Sequence, residues 1–225
     1  MASRRIPRWL GWPYAGESLP RSRRRSVPPS AAARVLGGYA VIGGLSSGIA
    51  FALGIDPIAC DGWLHIPAAA SVLLSLGLGV CIGAVTIGAT RALVRRAEWA
   101  RALHAALRPA VYGASDGMLL ALAVASATGE ELLFRGLLVP TIGVLASSLV
   151  FGALHQIRGP GRWGWIGWAA LMGLLFGLLF MATGSLVGPL VAHAAINHGN
   201  LRFLRDNDPD PQPPSRSLGG LLKRG

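Results

Sequence analysis

The sequence predicts an all-α fold, a polytopic transmembrane helix bundle with about six spans. Hydrophobic residues make up 52% of the chain and charged residues only 14%, whereas a soluble domain has about 25% charged residues. The mean hydropathy is +0.49. Apolar runs also recur at close to the roughly 20 residues that a helix needs to cross about 30 Å of hydrocarbon. The chain therefore lacks the polar surface of a soluble domain.

Three parts follow from the distribution of these runs. Residues 1–30 are rich in arginine and proline and are expected to form a disordered, basic, cytoplasmic arm. Residues 31–205 form one membrane-embedded helical domain, and residues 206–225 are expected to form a disordered, proline-containing tail. The six predicted spans are 34–55, 66–90, 111–138, 141–157, 164–182 and 186–204.

The net charge of +11 reflects arginines at the ends of apolar runs. They indicate topology and contacts with anionic lipid headgroups, not nucleic-acid binding. Residues 56–65, 140–143 and 183–185 lack Lys and Arg, whereas segment 91–108 has five arginines. Both termini are therefore predicted to be cytoplasmic. Twenty arginines against one lysine, with abundant Ala and Gly, favour a bacterial inner membrane of a GC-rich organism.

Segment 91–108 has two interpretations. Its leucines and Trp99 lie among arginines, which is typical of an amphipathic helix on the inner leaflet. A solvated connector helix is the alternative. Of the remaining reactive side chains, Cys60 and Cys81 have no disulfide or metal-binding spacing and are predicted to pack inside. His65 and His104 are expected to be solvated.

The segment from Thr128 to Gly136 places two carboxylates and a guanidinium inside an apolar span. Each costs roughly 2.5–3.5 kcal/mol at the centre of a bilayer, so a functional site is the default explanation. On a helix Glu131 and Arg135 are i,i+4 neighbours, while Glu130 points away from Arg135. Glu131 is therefore predicted to pair with Arg135 and to leave Glu130 free for chemistry. The alternative is a structural network in which both glutamates share the arginine.

Two further pairs at i,i+4 spacing share helix faces: Phe151 with His155 on the fourth span, and His193 with Asn197 on the sixth. Either histidine alone would be read as a packing residue. Their presence with Glu130 on separate spans favours one site.

Depths along the helices support this grouping. If the third and fourth spans turn near 140–143, Glu130 and His155 both lie about 18–20 Å from that turn, at about 1.5 Å per residue. His193 lies about 13 Å and Asn197 about 19 Å from the next outer turn. The four side chains are therefore predicted to share one polar pocket.

These groups suit amide hydrolysis. Glu130 can take a proton from water with help from His155, while His193 and Asn197 can donate hydrogen bonds to the developing oxyanion. A serine nucleophile is not needed, and Ser126 is predicted to pack between helices.

Three motifs carry a resemblance to a known family. They are Glu130-Glu131-xxx-Arg135, Phe151-xxx-His155 and His193-xxx-Asn197. Their order and shared depth resemble the CPBP intramembrane proteases, also called the CAAX-protease and bacteriocin-processing or Abi family. The likeness covers about residues 111–204.

The resemblance implies an intramembrane endopeptidase in which Glu130 activates water, His155 assists, and His193 and Asn197 hold the oxyanion. Glu131, Arg135 and Phe151 match supporting positions. The implied substrate is a membrane-associated protein or peptide. Prenylated CAAX substrates belong to eukaryotic members, so an unprenylated substrate is expected here.

Family members are often labelled metalloproteases, which makes zinc an alternative cofactor. Its ligands would be Glu130, His155 and His193, with water as the fourth. Because the chain has no His-Glu-x-x-His helix and Asn197 suits a donor role, a metal-free mechanism is favoured. A non-catalytic immunity or chaperone protein that retains the pocket is a second alternative. A proton-coupled transporter is a third, but the chain lacks the inverted repeats it would need.

Overall fold

A computed structural model describes residues 29–159 and 161–209. Seven α-helices and one π turn form the regular structure of these residues, so the all-α prediction is confirmed. The helices are α1 Pro29–Ala52, α2 Ala68–Arg96, α3 Glu98–Val111, α4 Asp116–Leu133, α5 Val139–Leu154, α6 Arg162–Thr183 and α7 Val187–Asp206. The π turn, Phe134–Leu138, joins α4 to α5. Most of the predicted basic arm and tail lies outside the described residues.

The helices carry large apolar side chains outward and small or polar ones inward. On α2, Leu73 is 69% and Val85 72% exposed, whereas the buried positions are Ser71, Ser75, Gly79, Gly83 and Thr86. This is the distribution expected in lipid, where close packing of small residues, and not burial of apolar surface, holds helices together.

Four stretches are long and apolar enough to cross a membrane, and they indicate an integral, multi-pass membrane protein. They are Ala31–Ala52, Ala68–Arg96, Asp116–Leu154 and Arg162–Thr183. The difference from the six predicted spans has two causes. The third stretch contains both α4 and α5, and α7, with its arginines, histidines and asparagines, is not among the four.

The chain turns back at Gly143, inside α5, so that the rest of α5 forms a hairpin with the π turn and the helix before it. This residue has φ 84° and ψ 163°, which is not helical and is a backbone conformation that favours glycine. Beyond the turn, the Ser147 hydroxyl donates to the Phe134 carbonyl at 3.2 Å. The turn lies within the predicted 140–143 segment, so the expected hairpin is confirmed.

Helices α2 and α7 pack at backbone contact. The Ser75 hydroxyl donates to the Ser185 carbonyl and accepts from the Gly188 amide, both at 3.0 Å. A Cβ on Gly79 would lie 2.3 Å from the Gly188 carbonyl oxygen, so only glycine fits there. These contacts fix the start of α7, the helix that carries His193 and Asn197.

The loop between α1 and α2 is bonded to the turn between α6 and α7. The Cys60 amide donates to the Gly184 carbonyl at 3.0 Å, and the Trp63 amide donates to the Met181 carbonyl at 2.9 Å. Gly184 has φ 74°, and a Cβ there would lie 2.4 Å from the Cys60 carbonyl. The loop therefore holds this turn in place.

Two expectations near the helix surfaces are wrong. His104 on α3 is only 3% exposed, because its Nε2 lies 2.9 Å from the Asn207 carbonyl oxygen and its ring meets the Phe203 ring edge-on. Cys81 is exposed on the outer side of α2, whereas Cys60 is partly buried; both are free. Helix α3 also packs one side on the bundle, with Leu103 buried.

Candidate active site

Glu131 and Arg135 form an ion pair at the junction of α4 and the π turn. Glu131 is 0% and Arg135 1% exposed. Arg135 Nη1 donates to Glu131 Oε1 at 3.0 Å, and Nη2 donates to the Gly173 carbonyl on α6 at 3.1 Å. The predicted pairing of these two residues is confirmed. A π turn at this point is typical of functional segments in helices.

Three phenylalanines enclose the Arg135 guanidinium. Its central carbon lies 6.0, 5.0 and 5.2 Å from the ring centroids of Phe134, Phe151 and Phe176. Such contacts attract a cation to the ring face and are stronger where water is excluded. Phe151 also contacts the His155 ring, with centroids 4.3 Å apart. The phenylalanine of the predicted Phe151–His155 pair thus links the buried arginine to the pocket.

Glu131 has a second partner that the sequence did not predict. His193 Nδ1 lies 2.7 Å from the same Oε1 that accepts from Arg135. Since a carboxylate accepts, the proton of this hydrogen bond is on His193 Nδ1. Glu131 thereby orients the His193 ring, and the His193 Nε2 atom faces Glu130.

Glu130 lies in a different environment from its neighbour. Its side chain is 14% exposed, and its Oε2 atom is buried without a hydrogen-bond partner among the described residues. His155 Nε2 lies 3.7 Å and His193 Nε2 3.8 Å from this oxygen. These separations are too long for direct hydrogen bonds and are of the size that one water bridges. Glu130 does not share Arg135 by hydrogen bonding, so the structural-network alternative is not supported.

His155 reaches the pocket because the hairpin folds back. On one continuous helix residues 130 and 155 would lie about 37 Å apart. His155 is the residue that ends α5, and its Nδ1 lies 2.7 Å from the Phe151 carbonyl oxygen. The carbonyl can only accept, so Nδ1 carries a proton, and the ring turns its Nε2 toward Glu130.

Asn197 lies about one helical turn from this cluster. Its Nδ2 donates to the Ser126 hydroxyl at 2.9 Å, and Ser126 precedes Glu130 by one turn of α4. The structure therefore brings Glu130, His155 and His193 together, and Asn197 lies one helical turn further along α7. Ser126 was predicted only to pack between helices, although its i,i+4 spacing to Glu130 was a signal for the shared face.

Tyr39 on α1 packs on the residue before Glu130, a contact that the sequence did not reveal. A Cβ added to Gly129 would lie 2.7 Å from the Tyr39 carbonyl oxygen. The available signal was a single phenol within the Ala- and Gly-rich run of α1.

A zinc site would require Glu130, His155 and His193 around one ion. No three His, Cys, Asp or Glu side chains within 29–159 and 161–209 are placed to hold a metal ion. The Glu130 oxygen lies 3.7 Å from His155 Nε2 and 3.8 Å from His193 Nε2, and zinc stays an alternative to the metal-free mechanism.

The sequence of this helical unit matches a family described as type II CAAX prenyl endopeptidase Rce1-like, over residues 117–199. Residues 117–199 form an Rce1-like domain. The Rce1-like domain begins in α4, ends in α7 and contains Glu130, His155, His193 and Asn197. The resemblance inferred from the three motifs is thus confirmed. The family's description names peptidases.

A further relative is an uncharacterized protein of Bacillus subtilis, YpbD. It is 39% identical over 71 residues, which cover 32% of this chain and 37% of YpbD. The chain therefore matches little more than a third of that relative's length. No solved structure matches the chain.

Proposed function

We propose that this protein is an intramembrane endopeptidase that hydrolyses a peptide bond in a membrane-associated protein or peptide. One observation carries the proposal. Inside the Rce1-like domain, a carboxylate oxygen without a hydrogen-bond partner faces the Nε2 atoms of two histidines from two other helices. Glu131 Oε2 is unpartnered as well, but Glu131 is held through its Oε1 by Arg135 and His193. Glu130 is not hydrogen-bonded to the arginine, and a mostly buried carboxylate that faces two histidines is typical of a reactive group.

Glu130 acts as the general base. Its oxygen is 3.7–3.8 Å from His155 Nε2 and His193 Nε2, which leaves room for a bridging water. The water gives a proton to Glu130 as it attacks the peptide carbonyl, and Glu130 returns this proton to the amide nitrogen as the C–N bond breaks, which leaves a carboxyl and an amine terminus. The unprotonated His155 Nε2 accepts the second hydrogen bond of that water and so orients it. Positioned proton transfer of this kind contributes about 10²–10⁴-fold in rate.

The oxyanion that forms on the carbonyl oxygen needs donors. His193 donates from Nε2 when its ring carries both protons, because Nδ1 is already bonded to Glu131. Asn197 uses one amide hydrogen on Ser126 and retains the other. One such donor is worth about 10²–10³-fold in kcat.

The proposed topology has six spans with both termini cytoplasmic. The Gly143 hairpin supports it, because α4 and α5 then cross separately. Helix α7 crosses as the sixth span, its His193 turned into the bundle and paired with Glu131, which lowers the cost of a polar helix in lipid. The basic arm would then face the anionic inner leaflet.

For the substrate we propose an unprenylated membrane protein or peptide precursor. The family's description supplies cleavage near a CAAX end, while the arginine-rich composition supports a bacterial source, where prenylated proteins are not expected. Cleavage beside a membrane span fits a site built on the last turn of α4 and the first three turns of α7.

The test compares full-length wild type and Glu130→Gln, reconstituted in liposomes with membrane proteins from the source cell. New N-termini found by mass spectrometry in the wild-type reaction should be absent with Glu130→Gln. A matched control is Glu98→Gln, which removes an exposed carboxylate of α3 and should cleave normally. Cleavage by Glu130→Gln at the wild-type level would contradict the proposal. Absence of any cleavage by the wild type would favour the immunity or chaperone alternative.

A further inference from the structure

An apolar groove lies between helix α3, the end of α2, the start of α6 and the last turns of α7. Three of the seven tryptophans of the chain, Trp99, Trp165 and Trp168, line it together with leucines of α2, α3 and α7. In the proposed topology these helix ends face the cytoplasmic side. Tryptophans are enriched at the boundary between hydrocarbon and headgroups. The groove therefore lies at the depth where a lipid places its glycerol and the upper part of its acyl chains.

The groove shares a wall with the proposed catalytic cluster. The Trp165 ring lines the groove, and its centroid lies 5.7 Å from that of the His155 ring. Asn200 also lines the groove and follows His193 by seven residues, so both lie on nearly the same face of α7. The Asn200 Oδ1 atom is buried without a hydrogen-bond partner among the described residues. The lining thus contains a polar atom that the described side chains leave unsatisfied.

Arginines without an acidic partner flank this groove. Segment 91–108 contains five arginines and one acidic residue, Glu98. Within the described part of the chain, Arg91 and Arg95 form no ion pair. The Arg91 guanidinium carbon lies 5.8 Å from the ring centroid of Phe203, which lines the groove. Arg95 Nε donates to the Arg91 carbonyl at 3.3 Å. Two uncompensated positive charges are therefore next to an apolar groove.

This combination is complementary to an amphiphile with an anionic headgroup. The planar guanidinium of arginine suits phosphate, and basic pockets between spans on the cytoplasmic side bind anionic lipid headgroups. The ends of the chain that lie outside the described residues do not have this charge. Residues 1–28 carry seven arginines and one glutamate, and residues 210–225 carry three basic residues and one aspartate.

We propose that the groove binds one anionic phospholipid of the bilayer, with an acyl chain against Trp99, Trp165 and Trp168 and the phosphate at Arg91 and Arg95. The site goes beyond the proposed function, because no step of the proposed hydrolysis uses it. Its acyl chain lies against the same tryptophan ring that contacts the histidine of α5.

The test is a titration of the full-length protein in detergent, with bound lipids counted by native mass spectrometry. Dioleoyl phosphatidylglycerol should bind more tightly than dioleoyl phosphatidylcholine, which has the same chains without net charge. Arg91→Gln should weaken this binding about five-fold, and Arg91→Gln with Arg95→Gln about thirty-fold, the effect expected of one and two arginines at an anionic headgroup. The matched control is Arg34→Gln, an exposed position of α1, which packs on α4 and the π turn. It should bind as the wild type does.

A second measurement tests where the acyl chain lies. Phosphatidylglycerol with brominated chains, added at one lipid per protein, quenches the fluorescence of tryptophans that the chain contacts. Trp168→Phe removes a tryptophan of the groove and should reduce the quenched part of the fluorescence. Trp63→Phe removes an exposed tryptophan between α1 and α2 and should leave that part unchanged.

Four results would overturn the inference. They are equal affinity for phosphatidylcholine, wild-type affinity in the double arginine variant, an equal loss in Arg34→Gln, and quenching that is the same in Trp168→Phe as in the wild type. Binding of glycerol phosphate as tightly as the lipid would also contradict it, since the site would then bind an anion without the chain. Glu130→Gln should bind the lipid as the wild type does, so this site and the proposed hydrolysis are tested separately.

Discussion

Glu130 and Glu131 are consecutive residues with opposite surroundings. Glu131 is fully buried, and its Oε1 accepts from both Arg135 and His193. Glu130 borders the pocket, and its Oε2 faces His155 Nε2 at 3.7 Å and His193 Nε2 at 3.8 Å. The Oε2 atom of each glutamate has no hydrogen-bond partner among the described residues, so the contrast lies in the two partners of Glu131 Oε1. About 100° of helix rotation separates the two side chains. This rotation along α4 places one carboxylate in a buried ion pair and the other at the pocket.

The buried Glu131–Arg135 ion pair also costs free energy. Burying a charged pair is repaid only when the remaining donors and acceptors are satisfied, and breaking such a pair leaves an uncompensated charge. Here Gly173 and three phenylalanine rings surround Arg135, while Arg135 Nε and Glu131 Oε2 have no hydrogen-bond partner among the described residues.

The largest expected effect is on stability in Glu131→Gln. The change leaves the Arg135 charge buried and uncompensated, so we expect a loss of about 3–5 kcal/mol. Glu130→Gln should melt at the wild-type temperature, because no hydrogen bond of its Oε2 is lost. Thermal unfolding in detergent, followed by near-UV circular dichroism, measures both. Equal destabilisation by the two changes would contradict the division of roles.

A smaller loss is expected in Arg135→Lys. Lysine keeps the charge but lacks the planar fork that reaches Glu131 and Gly173 at once. We expect a loss of about 1–3 kcal/mol, the cost of one buried group left unsatisfied. Arg202→Lys, an exposed position near Asp116, is the control and should change stability by less than about 0.5 kcal/mol. Wild-type stability in Arg135→Lys would show that a positive charge at residue 135 is enough to compensate buried Glu131 and that the planar fork is not needed.

On the reactive side, Ser126→Ala should lower kcat by less than Asn197→Ala. Removing the hydroxyl frees Asn197 to adopt other orientations, whereas Asn197→Ala removes the proposed oxyanion donor and should cost about 10²–10³-fold. Steady-state cleavage of the mapped peptide compares the two variants. A larger effect of Ser126→Ala would assign the serine a direct role in catalysis and would contradict the role of orienting Asn197.

The smallest expected effect is that of chelation. Because the proposed mechanism uses Glu130 and water without a metal, wild-type kcat should be unchanged after exhaustive dialysis against a chelator, with metal content followed by plasma mass spectrometry. If chelation abolishes cleavage and zinc restores it, Glu130 would be a metal ligand. Both glutamates would then be held by a positive charge, and the contrast between them would disappear.

Periodicity and spacing predicted much of this molecule. The i,i+4 rule identified the Glu131–Arg135 pair, and counting from the turn near residue 143 brought Glu130 level with His155. These predictions succeeded because they depend on helix geometry within one span or across one short hairpin. The catalytic roles of Glu130, His155, His193 and Asn197 remain predictions.

Contacts between distant spans were not predictable in the same way. The His193 hydrogen bond to Glu131, the Asn197 contact with Ser126 and the approach of Tyr39 depend on the rotation of α7 and α1 about α4. That rotation is set by close packing of glycine and serine, as at Gly79 with Gly188 and at Gly129 with Tyr39. A single sequence does not reveal which small residues meet.

The Gly143 turn sets the depth of both Glu130 and His155 along the helices. Their depths match because the number of residues between the turn and each side chain is nearly the same. Adding one residue to either arm would shift one group by about 1.5 Å along the axis and rotate it by about 100°. Length changes between residues 130 and 155 should therefore abolish cleavage unless both arms change together, whereas changes just beyond His155, at residues 156–159, lie outside this constraint.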